Sequence, residues 1–214
     1  MNNNKIIIGI DIDGVLNNLD TVWTLELNKR HGLNVDPEKN RYYWMQDNFP
    51  SLSNEEIYAP FHDDCFWSSL QTSPVIRHFV RQLCEDIRYD VYIVSATHSN
   101  YIRHKYEFLQ KYFEWIPYNK IIFCHNKQLL NLDIMIDDSP DNLINANYYG
   151  ILIDKPYNQD FKEKQHKNIV RVFNFMHACR EIDKYNDTFN NTESYNTEIN
   201  KYVLRGIARN AGRN

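Results

Sequence analysis

Apolar positions recur along this chain in two periods. Residues 6–12 are β-branched and almost wholly apolar, the pattern of a strand covered on both faces, as in a parallel sheet. After Pro74, the residues Val75, Ile76, Phe79, Val80, Leu83, Cys84 and Ile87 fall on one face of a helix. "DVYIVS" (90–95) reads as the next buried strand, and residues 100–113 as a second amphipathic helix. "KIIFCH" (120–125), "DIMIDD" (133–138), "GILID" (150–154) and "NIVRVF" (168–173) continue the strands. Ser139-Pro140 caps a helix after the fourth strand, and a final helix is expected near 175–185. Alternating strands and helices imply an α/β fold: a three-layer, Rossmann-like parallel sheet with right-handed crossovers.

Residues 18–72 break this rhythm. They are rich in aromatics ("RYYWMQDNF", "FHDDCFW") and carry the helix start Ser53-Asn54-Glu55-Glu56. They read as a small helical cap inserted after the first strand. The expected organisation is a core of 1–17 and 73–185, the cap at 18–72, and an Asn-rich tail at 186–214 that is partly disordered or forms a short helix near 199–207.

Composition narrows the options. The chain has 214 residues and a formal net charge of −4, so no overall basic field favours a nucleic-acid polymer. Cys65, Cys84, Cys124 and Cys179 are dispersed, without zinc spacing, and read as reduced, mostly buried thiols. No signal peptide or membrane span is evident, so a cytoplasmic protein is expected.

The polar residues at the strand ends carry the chemistry. In parallel α/β sheets, ligands gather at the carboxyl ends of the strands. Strand one ends in Asp11-x-Asp13-Gly14, which alone would read as a solvated end and an Asp-Gly turn. Strand two ends in Ser95-Ala96-Thr97, Lys127 follows strand three, and strand four ends in Asp137-Asp138. Carboxylates crowded in this way need a cation, and a set offering oxygen ligands alone suits Mg²⁺. A metal, a Lys and a hydroxyl beside a carboxylate nucleophile make a phosphoryl-transfer site.

"DIDGVL", Ser95, Lys127 and "IDDSPDN" resemble the four motifs of haloacid-dehalogenase-superfamily phosphatases. "FWSSLQTSP", "YDVYIVSAT", "KYEFLQKYF", "IPYNKIIF" and "GILIDKPYN" are similar to the 5′(3′)-deoxyribonucleotidase, or cytosolic type C 5′-nucleotidase, family. The resemblance runs over residues 5 to about 175, is loose in the cap and is absent after 185. It implies Asp11 as nucleophile and metal ligand, and Asp13 as general acid and base, with its carbonyl facing the metal. It implies Ser95, Ala96, Lys127 and Lys105 around the phosphate, and Asp138 on Mg²⁺, with Asp137 as a further ligand or a support. A phosphatase rather than a dehalogenase follows from Asp13, because an alkoxide leaving group needs an acid.

An insert after the first motif closes over such a site and selects the leaving group. Phe66 and Trp67 match the family's aromatic pair and are expected to wall the substrate, with Trp44 beside them. Tyr42, Tyr43 and Phe49 belong either to this wall or to the core of a helical bundle. The expected substrate is a nucleoside or deoxynucleoside 5′-monophosphate. A sugar phosphate, a polynucleotide end, and a non-catalytic phosphate or nucleotide sensor remain as alternatives. A homodimer is left open.

Overall fold

The computed structural model describes residues 5–188. Its centre is one six-stranded sheet with all neighbours parallel, in the order β3-β2-β1-β4-β5-β6. The strands are β1 Ile6–Ile10, β2 Tyr89–Ser95, β3 Ile121–Phe123, β4 Ile134–Asp137, β5 Tyr149–Ile153 and β6 Ile169–Val172. The helices are α1 Leu19–His31, α2 Met45–Asn48, α3 Asn54–Tyr58, α4 Asp64–Ser68, α5 Pro74–Glu85, α6 Ile102–Tyr112 and α7 Pro140–Leu143. Helical residues 175–178 end one compact unit at Ala178, and 179–188 open a second at Cys179. The tail expected from 189 onward lies outside the described residues.

The apolar runs become strands because both faces of the sheet are covered. Ile8, Ile10, Ile134, Ile136 and Ile151 are fully buried. One core cluster joins Val94, Leu132, Met135, Leu143, Tyr148, Leu152 and Ile169. Gly9 sits in this packing with no room for a side chain: a Cβ there would lie 2.7 Å from Leu132 and from Met135. A second cluster, Leu27, Met45, Phe49 and Ile57, holds the short helices between β1 and α5 together.

Local chemistry starts and stops these helices. Ser53 and Glu56 form a capping box on α3, Ser73 accepts from the Val75 N–H ahead of Pro74, and Gly32 closes α1 in the left-handed conformation. The helix expected after Ser139 is a single turn, and the Ser139 side chain makes no cap bond. Its N–H donates instead to Asp137. The four cysteines are free, but none is buried: Cys65 and Cys84 are exposed, and Cys124 and Cys179 are half-buried. Cys84 lies on the exposed side of α5 and not in the expected interior. Among the described residues, no helix is long and apolar enough to cross a membrane.

Candidate active site

Strand order positions the site. The chain leaves β1 for β2 on one side and returns to β4 on the other, so the crevice between β1 and β4 is a topological switch point. Ile10 is in register with Ile136, and the Asp11 N–H donates to the Ile136 carbonyl at 3.0 Å. One residue further on, Asp11 and Asp137 emerge side by side. Asp138 follows, and carboxylate oxygens of these three buried residues all lie within 4.8 Å of one another.

Two buried ammonium groups are threaded between the acids. Lys127 is 1% exposed and donates to Asp11 at 2.6 Å and to Asp137 at 2.7 Å. Lys105 comes off the buried side of α6 and bridges Asp13, the Ser95 hydroxyl (2.8 Å) and the Ala96 carbonyl (3.1 Å). Four carboxylates thus face two lysines, leaving a deficit of two charges, that of one divalent cation.

The acids feel this deficit. Burial pushes the Asp11 carboxyl up to about 7 against the pull of Lys127, and Asp137 and Asp13 push the same way. Burial also raises Asp138 well above the usual carboxylate range, with Asp137 and Asp11 adding to it. Lys127 is pulled down by burial, but Asp11 and Asp137 outweigh this and hold its proton more firmly than in water.

Gly14 makes the approach possible. At φ +70° it turns the chain after Asp13, and a Cβ there would collide with the Asp138 carboxylate and come within 2.8 Å of the Tyr157 hydroxyl. Asn17 fixes the turn: its Oδ1 accepts from the Gly14 and Leu19 N–H groups, and its Nδ2 donates to Asp13 at 3.0 Å.

Sequence reasoning missed several supports. Asn142 donates to both oxygens of Asp137, Tyr157 donates to Asp138, and Asn158 donates to the Asp138 and Ile153 carbonyls at 2.8 Å each. Asn142 lies in "IDDSPDN", five residues after Asp137, and that spacing was its signal. Tyr157 and Asn158 sit in "KPYN", which carries none, since a loop's partners depend on where β5 ends.

A cleft of about 230 Å³ opens from the acids towards the helices between β1 and α5. Asp11, Asp13, Ala96, Lys127 and Asp138 line its polar end, while Ser95 and Lys105 sit behind Asp13. Trp44 and Tyr42 line it as well and stay more than half exposed, while Tyr43 reaches back towards the acids, with its ring edge-on to Tyr157 and its hydroxyl against Ser139. Phe66 and Trp67 do not line it. They are buried: Trp67 donates its indole N–H to the Phe61 carbonyl, packs against Phe61 and Tyr101, and stacks on His104. Phe61 presents its own ring to the cleft in their place, with Trp23 and Tyr58. On α4 both Phe66 and Trp67 face inward. Phe49 is likewise core.

A parallel sheet with this acidic switch point is the architecture of haloacid-dehalogenase-like hydrolases. A hydrolase of that group from Deinococcus radiodurans, with bound phosphate and sodium, aligns with a TM-score of 0.57 at 15% identity, covering 85% of this chain and 96% of its own. A haloacid dehalogenase-like family protein from Streptococcus pneumoniae gives 0.55 at 15%, covering 80% and 95%.

The sequence narrows this class to one branch. Residues 4–182 match the family described as 5′ nucleotidase, deoxy (pyrimidine), cytosolic type C protein. A 5′(3′)-deoxyribonucleotidase of Clostridium acetobutylicum is 33% identical over 156 residues, 73% of this chain and 86% of that protein. One from Bacillus subtilis is 29% identical over 183 residues, 83% and 99% of the two chains. The chain belongs to this 5′-nucleotidase family of the haloacid dehalogenase superfamily, and is by class a phosphoric monoester hydrolase.

Proposed function

We propose that the protein is a Mg²⁺-dependent, cytoplasmic phosphatase that hydrolyses nucleoside or deoxynucleoside 5′-monophosphates through an aspartyl-phosphate. The observation that carries this is the convergence of Asp11, Asp137 and Asp138 around Lys127, two charges short of neutrality, at the foot of an aromatic cleft.

Asp11 attacks phosphorus while the bond to the 5′-oxygen breaks, and the Asp13 carboxyl gives its proton to the departing alkoxide. Water then attacks the same phosphorus and passes a proton to Asp13. The bond to Asp11 breaks, releasing inorganic phosphate and restoring both side chains. Lys105 and Ser95 take the phosphoryl oxygens; as Lys105 turns to them it frees Asp13 for its proton. Lys127 holds Asp11 in line. Asp138 and Asp11 would hold the cation directly, with Asp137 behind them, because the Asp137 oxygens are already engaged by Lys127, Ser139 and Asn142. The cation, when bound, supplies the positive charge that lets a phosphate dianion enter a site of carboxylates.

The insert acts as the cap that selects the leaving group, with Trp44, Tyr43 and Tyr42 offering faces for a base. Phosphate release from nucleotides, sugar phosphates and a 5′-phosphorylated oligonucleotide, ranked by kcat/KM with Mg²⁺ and with EDTA, tests the assignment. Nucleotides should lead, and EDTA should abolish turnover. Asp11→Asn should lose at least about 10³-fold in kcat; a variant that keeps its rate would remove the mechanism.

A further inference from the structure

Among the described residues, the cleft wall contains acceptors that no protein donor reaches. Asn40 is 3% exposed and lines the cleft beside Tyr42, Met45 and Asn48. Its amide orientation is set by a relay: the Thr24 hydroxyl gives its proton to the Asp20 carbonyl at 2.8 Å, so Thr24 accepts from Asn40 Nδ2 at 2.7 Å. Asn40 Oδ1 is then left buried with no donor. Asp20 Oδ1, in the same wall, is also buried without a donor, while Asp20 Oδ2 lies 3.5 Å from Lys155. Asn48, by contrast, is spent on its own loop, bonding Tyr42 and Trp44. Buried polar atoms are satisfied in nearly all folded proteins, so an acceptor left unpaired in a residue that walls a cleft points to a donor on what enters the cleft.

We infer that Asn40 is a specificity residue whose Oδ1 accepts a hydrogen bond from an N–H or O–H of the leaving nucleoside. This rests on the nucleotidase reading above. Thr24 holds the amide nitrogen, which leaves the oxygen as the group still to be paired. Asp20 offers a second acceptor on the same wall. The site therefore selects leaving groups that carry donors: an imide or amino group of a base, or a sugar hydroxyl. A leaving group without a donor would leave the acceptor buried and unpaired, the situation in which enzymes discriminate best.

The test uses the full-length protein with four substrates: deoxyuridine 5′-monophosphate, its N3-methyl analogue, its 3′-deoxy analogue, and p-nitrophenyl phosphate, whose leaving group has no donor. In the wild type, one of the two analogues should lose about 10- to 100-fold in kcat/KM against the parent, and which one does identifies base or sugar. If both are turned over as well as the parent, the inference is overturned without any variant. Asn40→Leu should lose about 10- to 100-fold more on the parent nucleotide than on p-nitrophenyl phosphate, and should not further penalise the analogue lacking the donor. Asn40→Asp, which keeps an acceptor, should recover most of the difference. An equal loss on all substrates, or none on the parent, overturns the role of Asn40 alone. Wild-type turnover of p-nitrophenyl phosphate but of no nucleotide overturns the nucleotidase reading as well, and separates the two failures.

Discussion

The acidic edge of the sheet and the aromatic wall opposite it are built on different rules. At the edge, each acid is buried or half-buried and bonded to at least one other side chain: Asp11 to Lys127, Asp13 to Lys105 and Asn17, Asp137 to Lys127 and Asn142, Asp138 to Tyr157. On the wall, Trp44 and Tyr42 are more than half exposed, and the loop they ride on is tied mainly by Asn48. Bond making needs groups fixed to a fraction of an ångström, and a buried polar network supplies that. Under the proposed function, choosing a leaving group tolerates adjustment, so large rings on a loop suffice. The difference teaches where damage should be global and where it should be selective.

Lys127→Ala should break the contrast most severely. It strands Asp11 and Asp137 as buried acids without their cation, which costs about 3–5 kcal/mol of stability along with activity. Thermal or urea unfolding of the metal-free protein measures it. Phe66→Ala should cost a comparable ~3–5 kcal/mol by opening a core cavity, with any change in KM following stability rather than substrate identity. Trp44→Ala should do the reverse: a melting temperature close to wild type and KM for nucleotides raised about tenfold. If Phe66→Ala were the substrate-selective variant and Trp44→Ala the destabilised one, the assignment of inward and outward rings would be wrong.

The smallest effect concerns acidity. Asp11 titrates near 7 in the folded chain and near 3.8 when unfolded, so between those values the folded state binds the extra proton. That contribution to stability is complete below about pH 4 and is lost as pH rises through 7. A bound divalent cation removes the need for the proton. The rise in melting temperature on replacing EDTA with Mg²⁺ should therefore be larger at pH 8 than at pH 5.5. A gap that did not change with pH would count against Asp11 as a carboxylate the cation meets.

Much of the sheet and its acidic edge could be read from the letters, because β-branched runs ending in Asp11, Ser95 and Asp137 carry their own period and their own punctuation. Lys127 and Lys105 were readable as candidates, though not that Lys105 spans Asp13 and Ser95, which depends on how α6 lies against β2. The cleft wall resisted most. Tyr58 and Phe61 face it while Phe66 and Trp67 do not, and no local period distinguishes a ring pointing in from one pointing out on helices of about one turn. Asn40 and Tyr157 were invisible for a related reason: their partners, Thr24 and Asp138, lie 16 and 19 residues away.

Arg171 on β6, at the far margin of the sheet, makes five hydrogen bonds to Asp154, Asn158, Phe161 and Glu163. Asn158 in turn grips the main chain at Asp138. The smallest working version of this enzyme therefore reaches past the last chemically reactive residue by more than thirty positions. Trimming the chain back to β5 would spare Asp11, Asp13, Lys105, Lys127, Asp137 and Asp138, yet unfasten the peptide on which Asp138 stands.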